Sequence, residues 1–73
     1  MEEKELLVKL GAQFQERRIE KGLNIMQLAE LAQVTRRTIY MVESGSNYCR
    51  PATYLRIAKA LDSGINLNLF NFG

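Results

Sequence analysis

The chain has 73 residues, with ten Lys or Arg, eight Asp or Glu, no His and one Cys. This length allows one domain with one core, and the 47% hydrophobic content is typical of a folding globular sequence. A lone Cys excludes an internal disulfide, and the lack of His excludes the common His/Cys zinc sites. The sequence contains no membrane-spanning apolar run and no signal-peptide pattern, so we expect a cytoplasmic protein.

Size and composition also bear on assembly and on chemistry. A core of this size supplies only about 3–5 kcal/mol of stability, so self-association is the expected further source. The chain has no Gly-rich phosphate loop and no nucleophile paired with a base. We therefore predict no enzyme activity, no metal or other cofactor and no small-molecule substrate.

Basic charge is concentrated in the later part of the chain. Residues 1–5 carry a net charge of −2, whereas residues 35–59 carry +4, from five basic residues and one acidic residue. Nucleic-acid binders often show such a concentration. Taken alone, the charge pattern favours an ordinary solvated surface.

Two helices are predicted in the first half of the chain. The first runs roughly from Glu3 to Lys21 and ends at Gly22, a residue type that favours helix C-termini. Its apolar face consists of Leu7, Leu10 and Phe14. The second begins after Asn24, which forms a capping-box pattern with Gln27, and ends near Ala32. Its buried face consists of Leu28, Ala29 and Ala32.

Two more helices follow a tight connection. Thr35 is the predicted N-cap of a helix over 36–44 that Gly45 stops, with Ile39 and Val42 facing inward. The fourth helix begins at Pro51, because proline suits the first helical turn, and runs to about Asp62. Its predicted apolar stripe consists of Tyr54, Leu55, Ala58 and Leu61.

The end of the chain has a different periodicity. Apolar and polar residues alternate strictly over 65–69, which predicts a strand continuing to Phe72. A lone strand leaves its backbone groups unpaired, so we expect it to pair with the same strand of a second copy. A frayed tail is the alternative. We accordingly divide the chain into a helical domain, 1–64, and a dimerisation strand, 65–73, whose interface residues are Ile65, Leu67, Leu69, Phe70 and Phe72.

The second helix, the connection and the third helix form a compact unit from Leu28 to Gly45. This unit resembles the helix-turn-helix of the Cro/cI-type (XRE family) DNA-binding domains. Residues 17–23 and 55–61 resemble the flanking pattern of that family. The resemblance implies a mainly α, four- to five-helix, lambda-repressor-like fold. Together with the C-terminal strand it resembles the HipB-type antitoxins, which implies a strand-paired dimer that represses its own operon and binds a kinase-type toxin.

The third helix would then be the recognition helix in the major groove of double-stranded DNA. Its candidate base-reading residues are Thr35, Arg36, Arg37, Tyr40 and Met41. Either arginine can form two hydrogen bonds to guanine, and Met41 is expected to be exposed and to meet a thymine methyl. The alternatives are two solvated arginines and a methionine that caps the core.

Other polar residues are candidates for contacts to DNA phosphates, which position a domain without reading sequence. These candidates are Arg18, Asn24, Thr38, Asn47, Tyr48 and Arg50. For Arg50 the alternative is a contact in the minor groove, and for the loop residues the alternative is turn chemistry alone. The resemblance further implies an ion pair between Arg18 and Glu43 that orients Arg18 toward a phosphate.

Two residues depart from the family pattern, and the single cysteine allows two interpretations. Ile25 stands where many members of the family have a phosphate-binding Gln, and Gln33 stands where the turn usually has Gly. A left-handed Gln33 would cost about 1 kcal/mol. Cys49 is interpreted as a small packed residue, since one neighbouring arginine is thin support for a redox-sensitive thiol.

The sequence therefore predicts a dimeric transcriptional repressor of the antitoxin type that reads a palindromic operator. One alternative is a phage-type or restriction–modification controller repressor. Another is a protein-interaction module that has lost DNA binding, which Ile25 and Gln33 favour.

Overall fold

The computed structural model describes residues 3–46 and 49–61, which form four helices. In chain order these are α1 (Glu3–Glu20), α2 (Ile25–Ala32), α3 (Arg36–Ser44) and α4 (Pro51–Ala60). The predicted mainly α fold is confirmed over these ranges, and each helix lies within a few residues of its predicted position. The predicted strand and the boundary at residue 64 lie outside the described residues. None of the described helices is both long and apolar enough to span a membrane.

Local side-chain and backbone chemistry sets the ends of α1 and α2. Gly22 has a φ of 70°, and its N–H donates to the Ile19 carbonyl at 2.9 Å while the Leu23 N–H donates to the Arg18 carbonyl. This pair of bonds ends α1 as the sequence predicts. The predicted capping box of α2 is also present: the Gln27 N–H donates to Asn24 Oδ1 at 2.7 Å, and the Asn24 N–H donates to Gln27 Oε1.

The core lies where α2 meets α3 and α4, with α1 packed on α3. Its fully buried large side chains are Phe14, Leu28, Ile39, Ile57 and Leu61. The predicted stripe of α4 was wrong at one position: Leu55 is 39% exposed, whereas Ile57 is 1% exposed. Positions 54, 57, 58 and 61 form one helical face with i, i+3, i+4 and i+7 spacing, and Leu55 lies to the side of that face.

Two glycines permit the close approach of α1 and α3. A Cβ on Gly11 would collide with the Val42 carbonyl oxygen and lie 2.6 Å from the Glu43 carbonyl oxygen. Gly45, which ends α3 with a φ of 65° as predicted, would place a Cβ 2.6 Å from the Val8 Cα. The backbone of α1 thus rests directly on the C-terminal end of α3. This contact fixes the tilt of α3 relative to the rest of the domain.

Candidate nucleic-acid interface

The connection between α2 and α3 is a tight turn centred on a left-handed Gln33. Gln33 has φ 58° and ψ 46°, and its N–H donates to the Glu30 carbonyl at 3.2 Å. The next N–H, of Val34, donates to the Ala29 carbonyl at 3.0 Å. A left-handed conformation costs a residue with a Cβ about 1–2 kcal/mol, and the packing of α2 on α3 holds it in place. The turn keeps the predicted geometry although a glycine is missing.

Two threonines organise the first turn of α3. The Thr38 N–H donates to Thr35 Oγ1 at 3.1 Å, and the two hydroxyl oxygens lie 2.9 Å apart. Thr35 is therefore the N-cap that the sequence predicts. The structure brings the candidate base-reading hydroxyl of Thr35 and the candidate phosphate-binding hydroxyl of Thr38 together as one hydrogen-bonded pair at the helix N-terminus.

The outer face of α3 is polar and basic. Arg36 and Arg37 are exposed, and Tyr40 is 61% exposed. Neither arginine makes an ion pair with any residue in 3–46 or 49–61. The opposite face carries Ile39 and Val42, which are buried as predicted. The outer face thus presents two cations and a phenol on consecutive turns.

Met41 differs from its predicted state. The sequence predicts an exposed side chain, but Met41 is half-buried. Helical periodicity places Tyr40 and Met41 on opposite flanks of the buried face formed by Ile39 and Val42, and the packing of α3 in the domain partly covers the Met41 flank. Only part of this side chain is open to a ligand on the outer face.

Arg18 and Glu43 join α1 to the end of α3. Arg18 Nε donates to Glu43 Oε2 at 2.7 Å, and Nη2 donates to Glu43 Oε1 at 3.1 Å. Arg18 Nη1 donates to the Leu23 carbonyl at 2.9 Å, so the same guanidinium also holds the turn before α2. The side chains are 13% and 7% exposed. Three of the five guanidinium N–H groups are engaged inside the domain, which makes Arg18 first of all a structural residue.

A comparison of the chain with known protein families agrees with this arrangement of α2, the turn and α3. A family model described as a helix-turn-helix domain matches residues 9–66, more than half of the chain. The chain belongs to the helix-turn-helix domain family. This family is one of DNA-binding domains, and α2, the Gln33 turn and α3 are its two helices and turn in this chain. No curated protein matches the chain.

The remaining predicted phosphate ligands of the helix-turn-helix domain are spread around this unit. Asn24 lies at the N-terminus of α2, where its Oδ1 is engaged in the capping box. Arg50 is exposed immediately before α4 and makes no side-chain capping bond there. Asn47 and Tyr48 lie outside the described residues. Ile25, in the first turn of α2, is partly buried against the core, so the side chain that replaces a family glutamine is used for packing.

One residue of the helix-turn-helix domain has a positioning role that the sequence did not indicate. Tyr54 was predicted only as a core residue, and its ring does stack on Phe14 with centroids 6.4 Å apart. Its hydroxyl also accepts a hydrogen bond from the Cys49 N–H at 3.2 Å. Cys49 is half-buried and packs against the core, as predicted. Tyr54 thereby holds the chain just ahead of Arg50.

Proposed function

We propose that this helix-turn-helix domain is a sequence-specific, dimeric transcriptional regulator of the Cro/cI (XRE) kind that reads a palindromic operator with α3. The supporting observation is the charge of α3. Its single acidic residue, Glu43, turns inward to Arg18 and is almost completely shielded from solvent, while Arg36 and Arg37 point outward without ion pairs among the described residues. The outer face therefore carries charge of one sign only, which suits the polyanionic major groove.

The proposed roles follow the positions on α3. Arg36 and Arg37 read guanines by paired hydrogen bonds, and Tyr40 contacts a base edge or a phosphate. The exposed part of Met41 meets a thymine methyl, and Thr35 adds a base contact from the N-cap. The proposed phosphate ligands around α3 are Arg18, Asn24, Thr38, Asn47, Tyr48 and Arg50.

We further propose that the protein is an autorepressor of the HipB antitoxin type. In this proposal the strand over 65–72 pairs between two copies through Ile65, Leu67, Leu69, Phe70 and Phe72, and the dimer binds a kinase-type toxin. Support comes from the strict alternation of apolar and polar residues, which is typical of a half-buried strand. A dimer would place two α3 helices about 34–36 Å apart, one turn of DNA.

The decisive experiment is a selection of bound sequences from a random DNA pool, followed by titration of the selected site over a salt series. We expect an inverted repeat and an affinity that falls steeply with salt. The double variant Arg36→Ala/Arg37→Ala should lose the preference for the selected site over random DNA. The matched control, Lys4→Ala/Lys9→Ala, removes the same charge from α1 and should keep that preference. No enriched sequence, or equal losses in both variants, would contradict the proposal.

A protein-interaction module that no longer binds DNA is the second candidate. The observation that favours it is the inward packing of Ile25, which removes a polar side chain from the N-terminal turn of α2. The two candidates separate in the cell: charge reversal by Arg36→Glu/Arg37→Glu should abolish repression of the chain's own promoter if α3 reads DNA. Intact regulation by that variant would favour the interaction module. A repressor of phage or restriction–modification type would differ in the genes it controls.

A further inference from the structure

A groove lies between the C-terminal halves of α2 and α4. Its volume is about 510 Å³, within the range typical of ligand sites. The described residues that line it come from α2, the turn after it and α4: Leu31, Ala32, Gln33, Arg56, Lys59 and Ala60. Since none of these belongs to α3, the groove and the proposed DNA-reading face are separate surfaces of the domain.

The groove has an apolar floor flanked by cations. Leu31 is 58% exposed in this groove, outside the face of α2 that buries Leu28 and Ala29. Arg56 and Lys59 make no ion pair with any residue of 3–46 or 49–61, and the lining residues include no acid. The groove therefore suits a segment that brings apolar side chains and no positive charge.

The chain itself supplies such a segment at one end of the groove. Ala60 lines the groove, Leu61 is fully buried beside it, and twelve residues, 62–73, follow directly. These residues have no basic side chain, and Asp62 is their single charged residue. Ile65, Leu67 and Leu69 occupy alternate positions, so they share one face of an extended chain.

From these observations we infer that residues 62–73 fold back along α4 and cover Leu31 in the groove of the same chain. The distances allow it: Ala60 to Arg56 is four helical residues, about 6 Å, and two extended residues span about 6–7 Å. Ser63 and Gly64 are residue types that favour the required reversal. Docking also provides the helical surface that a two-stranded ribbon needs, because such a ribbon is only marginally stable alone.

This inference rests on the extended segment of the proposed function, but not on its pairing between copies or on DNA binding. The test uses the full chain with Cys49→Ser, into which Leu31→Cys and Leu67→Cys are introduced together. The matched control pairs Leu67→Cys with Leu6→Cys, since Leu6 is a leucine of similar exposure, 51%, on α1 outside the groove. Disulfide formation under mild oxidation is followed on non-reducing gels and by mass spectrometry.

We expect the pair at 31 and 67 to form a disulfide within one chain at least ten times faster than the pair at 6 and 67. Equal rates for the two pairs would overturn the inference. Mixing ¹⁵N-labelled and unlabelled protein identifies the partner: a mixed-isotope disulfide would show that a second copy occupies the groove and would also overturn it. Light scattering and operator titration of the same samples report dimerisation and DNA binding separately, so a failure of docking is distinguishable from a failure of the proposed function.

A second variant guards against effects of the cysteines. Leu31→Asp is expected to lower the thermal midpoint of the full chain by several degrees, because the aspartate would be buried under residues 62–73. Leu6→Asp, the control on α1, should leave the midpoint nearly unchanged. Equal midpoints for the two variants would contradict a covered Leu31.

Discussion

The guanidinium of Arg18 and the carboxylate of Glu43 face each other with two hydrogen bonds, of 2.7 and 3.1 Å, across 25 residues of sequence. Because Arg18 also donates to the Leu23 carbonyl, one side chain connects α1, the turn before α2 and the end of α3. The pair removes the negative charge of Glu43 from the outer face of α3 and fixes the orientation of that helix.

Breaking this pair is expected to destabilise the domain strongly. Glu43→Ala leaves a shielded guanidinium without its partner, and such a loss costs about 3–5 kcal/mol. Chemical denaturation followed by circular dichroism gives the free energy of unfolding. Glu20→Ala is the control, because it breaks the exposed Arg17–Glu20 pair, which should contribute less than about 1 kcal/mol. Equal losses in the two variants would show that the shielding of Glu43 carries no energetic weight.

Gly11→Ala is expected to destabilise the domain, against the helix propensity of alanine. Propensity alone predicts a gain of about 1 kcal/mol in the interior of α1. The added Cβ would instead collide with the Val42 and Glu43 carbonyls, and overpacking of this kind costs about 1–3 kcal/mol. The sign of the change in the free energy of unfolding decides between the two. Ala12→Gly, at an exposed neighbouring position of α1, measures the propensity term alone.

Gln33→Gly is expected to stabilise the domain by about 0.5–1 kcal/mol, because glycine accepts the left-handed conformation without strain. The same substitution at Gln13, an exposed residue inside α1, should have the opposite sign and cost about 1 kcal/mol. Thermal unfolding of the two variants beside the unchanged chain measures both effects. A destabilised Gln33→Gly variant would mean that the Gln33 side chain contributes more than the strain of its backbone.

Arg50 and Arg37 are expected to differ in how they affect DNA binding. Arg50→Ala, if this residue contacts a phosphate, should weaken binding to all sequences and reduce the salt slope by about 1. Arg37→Ala, if this residue reads a guanine, should relax the preference at one base pair by about 1–3 kcal/mol. Titrations of the selected site and of a single-base variant of it, over a salt series, separate the two effects. Identical behaviour of the two variants would contradict the division of roles.

Dimerisation is expected to depend on one face of the C-terminal segment. Replacing Leu67 and Leu69 together by Asn should shift the full chain from dimer to monomer in light scattering, because the apolar face of the proposed strand is lost. The control, Asn66→Ala/Asn68→Ala, changes the other face and should leave the dimer intact. A dimer that survives the leucine substitutions would move the interface to the helices.

Features set by local chemistry were the ones that the sequence predicted well. The capping box of Asn24 and Gln27, the N-cap Thr35 and the left-handed Gly22 each depend on a few neighbouring residues, and each is present. The resemblance also led to the Arg18–Glu43 contact, which composition and periodicity alone do not indicate. The error at α4 was avoidable, because the helical spacing of Tyr54, Ala58 and Leu61 already places Ile57 within the buried face and Leu55 to its side.

Contacts between distant parts of the chain could not be read from the pattern. Gly11 lies within an ordinary helical segment, and nothing near it in sequence indicates that the Val42 carbonyl approaches it. Met41 borders two faces of α3, so its burial depends on the tilt of the helix and not on its own periodicity. The second role of Tyr54 depends on where the loop returns to α4, which brings the Cys49 N–H within 3.2 Å of its hydroxyl.

Because α3 is fixed at both ends, by the Thr35 cap at its start and by Glu43 at its finish, it is already ordered before any ligand arrives. Association with a rigid helix requires little loss of conformational entropy at the moment of contact. Differences in affinity among operator variants would then report base contacts directly, undistorted by a folding step. Such a domain would discriminate between sites mainly through how long it stays bound.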